Sequence, residues 1–260
     1  MALQRATALK HLWIPDTQVR EGVPTKHIEA LGNYIEEKRF DKIIVAGDWW
    51  DAKSCSNYNT PLEAEGLRVV DDIESGKMAM DLLWSAVNKR NRTVAGWKKR
   101  QYQPEKHFLM GNHEVQFQRL WDNDPRLAGL IDFSCLGLQD HDFHVHDFLK
   151  QVSIDGILYS HYFQNAGNAR PISGMVETRI KNIGSSFTQG HSQEFKYGEV
   201  SFAGGIRRHG LVAGAFYMHD EGFKGENNHH WRGVVVKNEV RDGEYDIMKI
   251  SVDYLLRRYL

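Results

Sequence analysis

The segment "FLMGNHEVQF", residues 108–117, determines how the rest of the sequence is interpreted. Three apolar residues lead into Gly111, and Asn112, His113 and Glu114 then follow side by side. Because Gly-Asn pairs are common in turns, the segment by itself predicts only a buried strand that ends in a polar turn. A more specific interpretation requires ligand-type side chains at the ends of other strands.

Four further apolar runs end in a glycine or a polar cluster, as short buried strands do. They are residues 9–16, 42–48, 155–161 and 185–191. Helical periodicity is found between them, at residues 25–40, 61–90 and 171–183. This alternation predicts an α/β fold (an α+β sandwich) in which two mixed sheets pack face to face with flanking helices.

The sequence predicts one domain over residues 1–260, because no repeat, low-complexity tract or linker divides it. A helical insertion is expected at about residues 52–104. From about residue 195 to residue 260 the sequence pattern changes to short apolar runs that are separated by glycines. These runs predict antiparallel strands and hairpins in a β-rich C-terminal part.

Composition excludes several classes of protein. Lys and Arg number 33 against 34 Asp and Glu, so no global charge demands nucleic acid or a membrane surface as partner. The two cysteines, Cys55 and Cys135, are far apart and exclude a disulfide scaffold or a cysteine-rich zinc site. No apolar stretch approaches a membrane span. We therefore expect a cytoplasmic protein without a membrane partner, whose oligomeric state the sequence does not indicate.

Polar side chains of metal-ligand type follow each predicted strand. They are Asp16, Gln18, Asp48, Asp51, Asn112, His113, His161, His191 and Gln193. Ligands of open α/β sheets gather outside the carboxyl ends of strands, so these residues can converge on one site. Asp, His and Asn together are ligands for divalent ions of borderline or hard character.

The order of these motifs resembles that of the calcineurin-like metallophosphoesterase superfamily. Its motifs run D-x-H, G-D-x-x-D, G-N-H-[ED], a lone His and G-H-x-H, and here they read "DTQ", "GDWWD", "GNHE", "SH" and "GHSQ". The segments "IPDTQV", "YSHYF" and "HHWRGVVV" look like a phage-encoded branch of it, which would place the protein in a host cytoplasm. The resemblance implies metal-dependent hydrolysis of a phosphomonoester or phosphodiester.

The resemblance also implies a division of the metal ligands between two ions. Asp48 would bridge both ions, and Asp16 would belong to one of them. The other ion would be held by Asn112, His161 and His191. Two such ions clamp a phosphate and lower the pKa of a water between them.

Two residues are implied to act directly in catalysis, His113 and the bridging Asp48. In the family pattern His113 has no metal to bind. It would instead approach the leaving oxygen, where it could stabilise charge or donate a proton.

The sequence departs from the family at Gln18 and Gln193, because the family has a histidine at both positions. With two amide oxygens beside Asp16 and Asp48, the altered site would be all-oxygen and suit Mg²⁺ or Mn²⁺ better than Zn²⁺. Alternatively it fills only when substrate brings an ion, or the amides merely hydrogen-bond Asp16 and water. The prediction is one tight and one weak site for divalent ions, Mn²⁺ first, with Mg²⁺, Zn²⁺ or Ni²⁺ as alternatives.

Three further stretches have competing interpretations. His229 and His230 are predicted substrate contacts, and the resemblance gives them no metal role. "HDFHVH", residues 141–146, alternates as a strand with exposed histidines does, and that interpretation is favoured over a metal site. Residues 88–103 contain six basic residues, no acid, and two interleaved aromatics. That composition suits nucleic-acid binding, although such a run is more often a solvated helix end.

The sequence does not identify the substrate. A nuclease, a nucleotide phosphodiesterase and a protein phosphatase can use the same metal centre, and the fold does not choose between them. The basic run and the phage-like segments favour DNA or RNA. A different class of function is also compatible with the glutamines, namely a catalytically impaired fold that serves as a binding or assembly module.

Overall fold

The computed structural model describes residues 8–57, 59–124, 126, 131–222, 225–226 and 228–260. Within these ranges the chain forms eleven strands and six α-helices. The strands are β1 (Leu9–Ile14), β2 (Lys42–Val45), β3 (Glu105–Leu109), β4 (His144–His146), β5 (Val152–Ile154), β6 (Ile157–Ser160), β7 (Ser186–Gln189), β8 (Phe195–Ser201), β9 (Arg207–Ala213), β10 (Gly233–Arg241) and β11 (Glu244–Ser251). The helices are α1 (Lys26–Lys38), α2 (Pro61–Ala64), α3 (Val69–Thr93), α4 (Asn112–Asp122), α5 (Val176–Ile183) and α6 (Val252–Tyr259).

The strands form two sheets, and both are mixed. The first has the order β11-β10-β1-β2-β3-β4, in which β1 to β4 are parallel and β10 and β11 are antiparallel to their neighbours. The second has the order β5-β6-β7-β9-β8, with a parallel centre and antiparallel edges. The predicted α/β sandwich of two mixed sheets is thereby confirmed.

Alternating side chains of β1 separate the apolar layers of the sandwich. Leu12 and Ile14 belong to the cluster shared with the helices, whereas Trp13 belongs to the cluster between the two sheets. This follows from the period of two along a strand, which sends successive side chains to opposite faces. The central strand is therefore buried on both faces, as its nearly continuous apolar sequence indicates.

Helices cover the outer faces of both sheets. Leu31 of α1, Leu83 of α3 and Leu255 of α6 pack in the cluster on the first sheet. Ile180 of α5 packs with Phe187 of β7 on the second sheet. In this order of helix, sheet, sheet and helix, the ligand-type residues follow the carboxyl ends of the parallel strands.

The polar turn expected after Gly111 is the first turn of a helix. Helix α4 begins at Asn112, and Phe117 and Trp121 are buried four residues apart on one side of it. Residues at i and i+4 share a helix face, so "HEVQFQRLW" has a helical pattern that the short strand-and-turn interpretation missed. Asn112 and His113 are therefore carried on the end of a rigid helix.

Other boundaries also differ from the sequence expectations. The predicted helix at 61–90 is divided into α2 and α3, and Gly66 between them has a φ of +81°, which glycine adopts without steric cost. The predicted helix at 171–183 begins only at Val176. The predicted strand at 155–161 is the second strand of a hairpin whose turn, at residues 155 and 156, has positive φ angles.

The C-terminal part contains the expected hairpins and one unexpected helix. Strands β8 and β9 pair antiparallel, as do β10 and β11. Residues 252–259 then form α6, because the Ser251 side chain caps it by accepting from the Tyr254 N–H, and Val252, Leu255 and Tyr259 are buried. None of the helices in the described ranges combines the length and apolar composition needed to cross a bilayer.

Candidate metal centre

The predicted ligands lie in loops that follow parallel strands of both sheets. Asp16 follows β1, Asp48 follows β2, and Asn112 opens the helix after β3. His161 follows β6 and His191 follows β7 in the second sheet. Their side chains meet where the carboxyl ends of the two sets of strands converge, as the arrangement of open α/β sheets predicts.

The backbone brings these loops unusually close together. Asp48 and His191 have φ angles of +47° and +61°, a conformation that costs energy for residues with a Cβ and that clusters at functional sites. A Cβ at Gly111 would lie only 2.2 Å from Oδ1 of Asp48. Only glycine therefore permits the loop after β3 to contact the Asp48 side chain.

Asp48, His161 and His191 form a candidate divalent-metal cluster. Each offers one ligand atom, and these atoms all lie within 4.8 Å of one another. Asn112 Oδ1 lies 2.9 Å from Nε2 of His161 and 2.8 Å from Nδ1 of His191. An amide oxygen, a carboxylate and two imidazoles therefore point at one place, which is a donor set for a borderline ion such as Zn²⁺ or Mn²⁺.

The His161 ring is oriented by the protein backbone. Its Nδ1 lies 2.8 Å from the carbonyl oxygen of Ala46, and its Nε2 lies 3.3 Å from Oδ2 of Asp48. A carbonyl that accepts from one ring nitrogen directs the other nitrogen at the ligand site, which is the usual support of a metal-binding histidine.

Electrostatics in the cluster favour a cation. Burial alone would raise the pKa of Asp48, but His161 and His113 outweigh it and hold that pKa below its usual range. Burial opposes protonation of His161, yet Asp48 raises its pKa to about 10. The carboxylate thus attracts positive charge to this point, and a bound divalent ion would take the place of the His161 proton. Burial, followed by repulsion from His161, lowers the pKa of His191 to about 4, so its ring is neutral at physiological pH and able to act as a ligand.

A second group of oxygen atoms lies beside the cluster. Oδ2 of Asp16 and Oε1 of Gln193 are buried, and neither has a hydrogen-bond partner among the described residues. Gln193 Nε2 donates to Oε1 of Gln18 at 3.2 Å, so the two amides bond to each other and not to Asp16. Burial raises the pKa of Asp16 to about 8, and a bound cation would reverse that shift. Two unpartnered buried oxygens are chemically suited to a hard divalent ion.

His113 lies next to the cluster with a fixed orientation. Its backbone N–H donates to Oδ1 of Asp48 at 2.8 Å, and its ring Nδ1 hydrogen-bonds the carbonyl oxygen of Asp51. Nε2 is left facing the cluster, 3.8 Å from Oδ2 of Asp48. Burial opposes protonation of the ring, but Asp48 outweighs it and raises the His113 pKa. This ring is placed to hold a proton at the mouth of the site.

Glu114 has a structural role at the site that the sequence interpretation did not assign. Its fully buried carboxylate accepts from the N–H groups of Gly111 at 2.7 Å, Asp48 at 2.9 Å, Trp49 at 2.8 Å and Trp50 at 3.4 Å. Burial, then repulsion from Asp48, raises its pKa, while the N–H donors of Gly111 and Asp48 oppose that rise. One side chain thus joins the loops that carry Asp48 and Asn112. Its position as the third residue of a helix that follows a glycine could have indicated this capping role from the sequence.

The rim of the site contains an ion-pair chain that motif reasoning also missed. Arg20 donates from Nε to Oδ2 of Asp51 at 2.6 Å and approaches Glu221 at 3.5 Å. Asp51, Glu194 and Glu221 line a cavity of about 420 Å³, and two members of the cluster, Asp48 and His191, line the same cavity. The described lining of this cavity includes no Lys or Arg. The negative charges of a phosphate would therefore meet no lining cation other than histidine.

Two groups of histidines that the sequence singled out lie outside the metal cavity. His230 lines a separate cavity of about 330 Å³ with Tyr217, whose hydroxyl lies 3.1 Å from its Nε2, and His229 is exposed. Neither lines the metal cavity, and their role as substrate contacts stays a prediction. His144 and His146 are on strand β4, as the alternation predicts.

Comparisons with known proteins give matches among solved structures but none to a family model or a curated protein. Among solved structures, the nuclease MPE of Pseudomonas putida is similar at 14% sequence identity and a TM-score of 0.33, covering 92% of this chain and 87% of that chain. A similarity at this level allows no conclusion about function.

Proposed function

We propose that the chain is a divalent-metal-dependent phosphoesterase of calcineurin-like type. The observation that carries this proposal is the convergence of Asp48, His161 and His191, whose ligand atoms lie within 4.8 Å of one another. The unpartnered carboxylate oxygen of Asp16 and the oriented ring of His113 support it. A carboxylate, two imidazoles and an acid-base group are the parts that metal-assisted hydrolysis requires.

Two cation positions follow from the donor atoms. The first would be held by Asp48 with Asn112, His161 and His191, and its two imidazoles favour tight binding. The second would be held by Asp16, Gln18 and Gln193 with Asp48, and its neutral amides favour weak binding of Mn²⁺ or Mg²⁺. When bound, the ions supply Lewis-acid activation of water and of the phosphoryl group.

The protein's own residues perform the remaining tasks. The His113 ring donates from Nδ1 to the Asp51 carbonyl, so Nε2 carries a proton when the ring is protonated and can then donate it to the leaving oxygen. Asp48 accepts the His113 N–H and so ties the acid to the ligand cluster. Glu114 keeps both loops in register. Preorganisation of this kind lowers the cost of reaching the transition state.

Among phosphoesters we propose a diester of nucleic acid or nucleotide type as substrate, in line with the phage-like segments of the sequence. Phosphoprotein is the alternative substrate class for the same centre. The catalytically impaired binding module is the alternative to enzymatic activity, and the mutual hydrogen bond of the two glutamine amides favours it.

The test is hydrolysis of bis-p-nitrophenyl phosphate and p-nitrophenyl phosphate with Mn²⁺, Mg²⁺, Zn²⁺ or Ni²⁺ added. We expect turnover with Mn²⁺, loss of turnover and of bound metal in His161→Ala, and neither loss in His144→Ala. The control replaces the same residue type at an exposed strand position. Folded wild-type protein that binds no divalent ion and cleaves neither ester would contradict the proposal and support the binding module.

A further inference from the structure

A basic pocket lies at the opposite end of the sandwich from the metal cavity. It has a volume of about 630 Å³, and its lining includes Arg39, Arg90, Arg100, Tyr102 and Asp41. Residues 39–41 precede β2 and residues 100–104 precede β3, whereas the metal ligands follow these same strands. The pocket therefore occupies the amino ends of strands whose carboxyl ends form the candidate metal centre.

The wall of this pocket is held in a defined conformation. The Asn91 side chain donates to the Tyr102 carbonyl and accepts from the Tyr102 N–H, each at 2.8 Å. The Tyr102 hydroxyl donates to the carbonyl of Phe40 at 2.9 Å. These bonds join the segment after α3 to the end of α1, so the arginines on the two segments face one cavity.

Two of the three guanidinium groups of the basic pocket share a single carboxylate as their ion-pair partner. Arg39 Nη2 and Arg90 Nε lie 3.8 and 3.9 Å from Oε1 of Glu36, which is too far for a hydrogen bond. Asp41 is the acidic residue of the lining, and its Oδ2 already accepts the N–H of Lys10 at 2.7 Å. The pocket thus presents several guanidinium donors whose hydrogen bonds a phosphate group could accept.

The alternative explanation is that these arginines offset the dipoles of helices α1 and α3, which end nearby. The helix dipoles explain the positions of Arg39 and Arg90. They do not explain Arg100, because it lies beyond the end of α3. The Arg100 guanidinium stacks on the ring of Trp97 at 4.8 Å, and Trp97 is 64% exposed. An exposed aromatic ring beside a cluster of arginines is the composition of surfaces that bind the backbone and bases of nucleic acids.

We propose that the basic pocket binds the phosphate backbone of a nucleic acid. The metal cavity has no Lys or Arg in its described lining, so beyond the proposed ions any side-chain attraction for the rest of a polyanion must come from another surface. Pro104 at the pocket and Asn112 at the metal centre are joined through strand β3, which places them on the order of 25 Å apart. A duplex would cover this distance with roughly 8 base pairs.

Binding is tested by fluorescence anisotropy with a labelled single-stranded DNA of about 20 nucleotides over a range of salt concentrations. We expect Arg90→Ala/Arg100→Ala to bind about tenfold or more weakly and to lower the slope of log K against log salt by about 1.4, the value for two lost phosphate contacts. The matched control is Arg207→Ala/Arg208→Ala, which removes two arginines from the amino end of β9 in the other sheet. It should bind as wild type does.

An equal affinity of the pocket variant and the control would overturn the proposal. Circular dichroism confirms that each variant folds, and Arg100→Glu, at an exposed residue, is the second variant if the double variant does not. Reversing that charge should weaken binding by at least as much as its removal, and unchanged binding would equally overturn the proposal.

Binding to the basic pocket can be separated from the proposed hydrolysis. Hydrolysis of bis-p-nitrophenyl phosphate should be the same in wild type and in the pocket variant, because that ester is too small to reach both surfaces. Pocket-dependent DNA binding without hydrolysis would contradict the phosphoesterase and leave the pocket proposal intact. If the protein hydrolyses the small ester but its DNA binding does not depend on the pocket, the pocket proposal is contradicted and the phosphoesterase is left intact.

Discussion

Glu114→Gln tests whether one buried carboxylate holds the metal loops together. Each carboxylate oxygen accepts two backbone N–H groups, Oε1 those of Trp49 and Trp50 and Oε2 those of Asp48 and Gly111. Glutamine has the same shape but replaces one acceptor oxygen with an NH₂ donor. Whichever way the amide turns, two buried N–H groups lose their acceptor and face a donor.

The magnitude follows from the cost of leaving buried donors unsatisfied, about 1–3 kcal/mol each. Two such donors predict that the free energy of unfolding falls by about 2–6 kcal/mol. For a chain of this size, each kcal/mol of lost stability lowers the melting temperature by roughly 2–4 °C. Because the Asp48 loop also loses an anchor, we expect weaker binding of Mn²⁺ in the variant that still folds.

The assay is urea unfolding followed by circular dichroism, with the free energy obtained by linear extrapolation. The matched control is Glu29→Gln on the exposed side of helix α1, which should change stability by no more than about 0.5 kcal/mol. A loss below about 1 kcal/mol in Glu114→Gln, at equal slopes of the unfolding curves, would refute the argument that this carboxylate joins the loops.

Three further outcomes are expected. His113→Ala should lower turnover of the chromogenic diester about 10²–10⁴-fold while elemental analysis finds the metal content of wild type, because His113 is placed as an acid and not as a ligand; loss of metal at native fold would move it into the ligand set. Gln18→His/Gln193→His should raise zinc stoichiometry towards two ions per chain, since imidazole binds zinc more strongly than an amide oxygen; two equally tight ions already in wild type would disprove the weak second site. Burial holds the pKa of Lys237 well below its ordinary value of 10.5, so the unfolded chain binds the extra proton and stability rises with pH. As the pH rises towards that ordinary value, the urea midpoint of wild type should therefore rise relative to that of Lys237→Met. Parallel curves would show that the amine does not titrate on unfolding.

Sequence patterns predicted which residues the candidate centre brings together, because each candidate ligand is adjacent to a strand end that apolar runs reveal. Asp48, His161 and His191 were expected together, and their ligand atoms lie within 4.8 Å of one another. Local patterns also predicted the two mixed sheets, since a buried strand requires a short apolar run whatever its neighbours are. Helices were predicted less well, since α4, which begins at Asn112, was expected only as a polar turn.

The contacts that join separate loops were beyond the sequence. Nothing local indicates that the Glu114 carboxylate binds Asp48 N–H, that Arg20 links Asp51 to Glu221, or that the Gln193 amide donates to Gln18. Each of these bonds joins residues that are far apart along the chain, so their geometry depends on how the two sheets pack.

The sequence by itself therefore determined which residue types follow which strands, and with them the chemistry of the proposed centre. Only the tertiary structure decided where the charges lie. In the sequence, the six basic residues between 88 and 103 indicate only a local cluster of charge. Arg90 and Arg100 line a pocket with Arg39 because the hydrogen bonds of Asn91 and Tyr102 hold that segment against the end of α1. Local periodicity reports the elements of a chain, whereas the position of a charge in space depends on long-range contacts that periodicity does not encode.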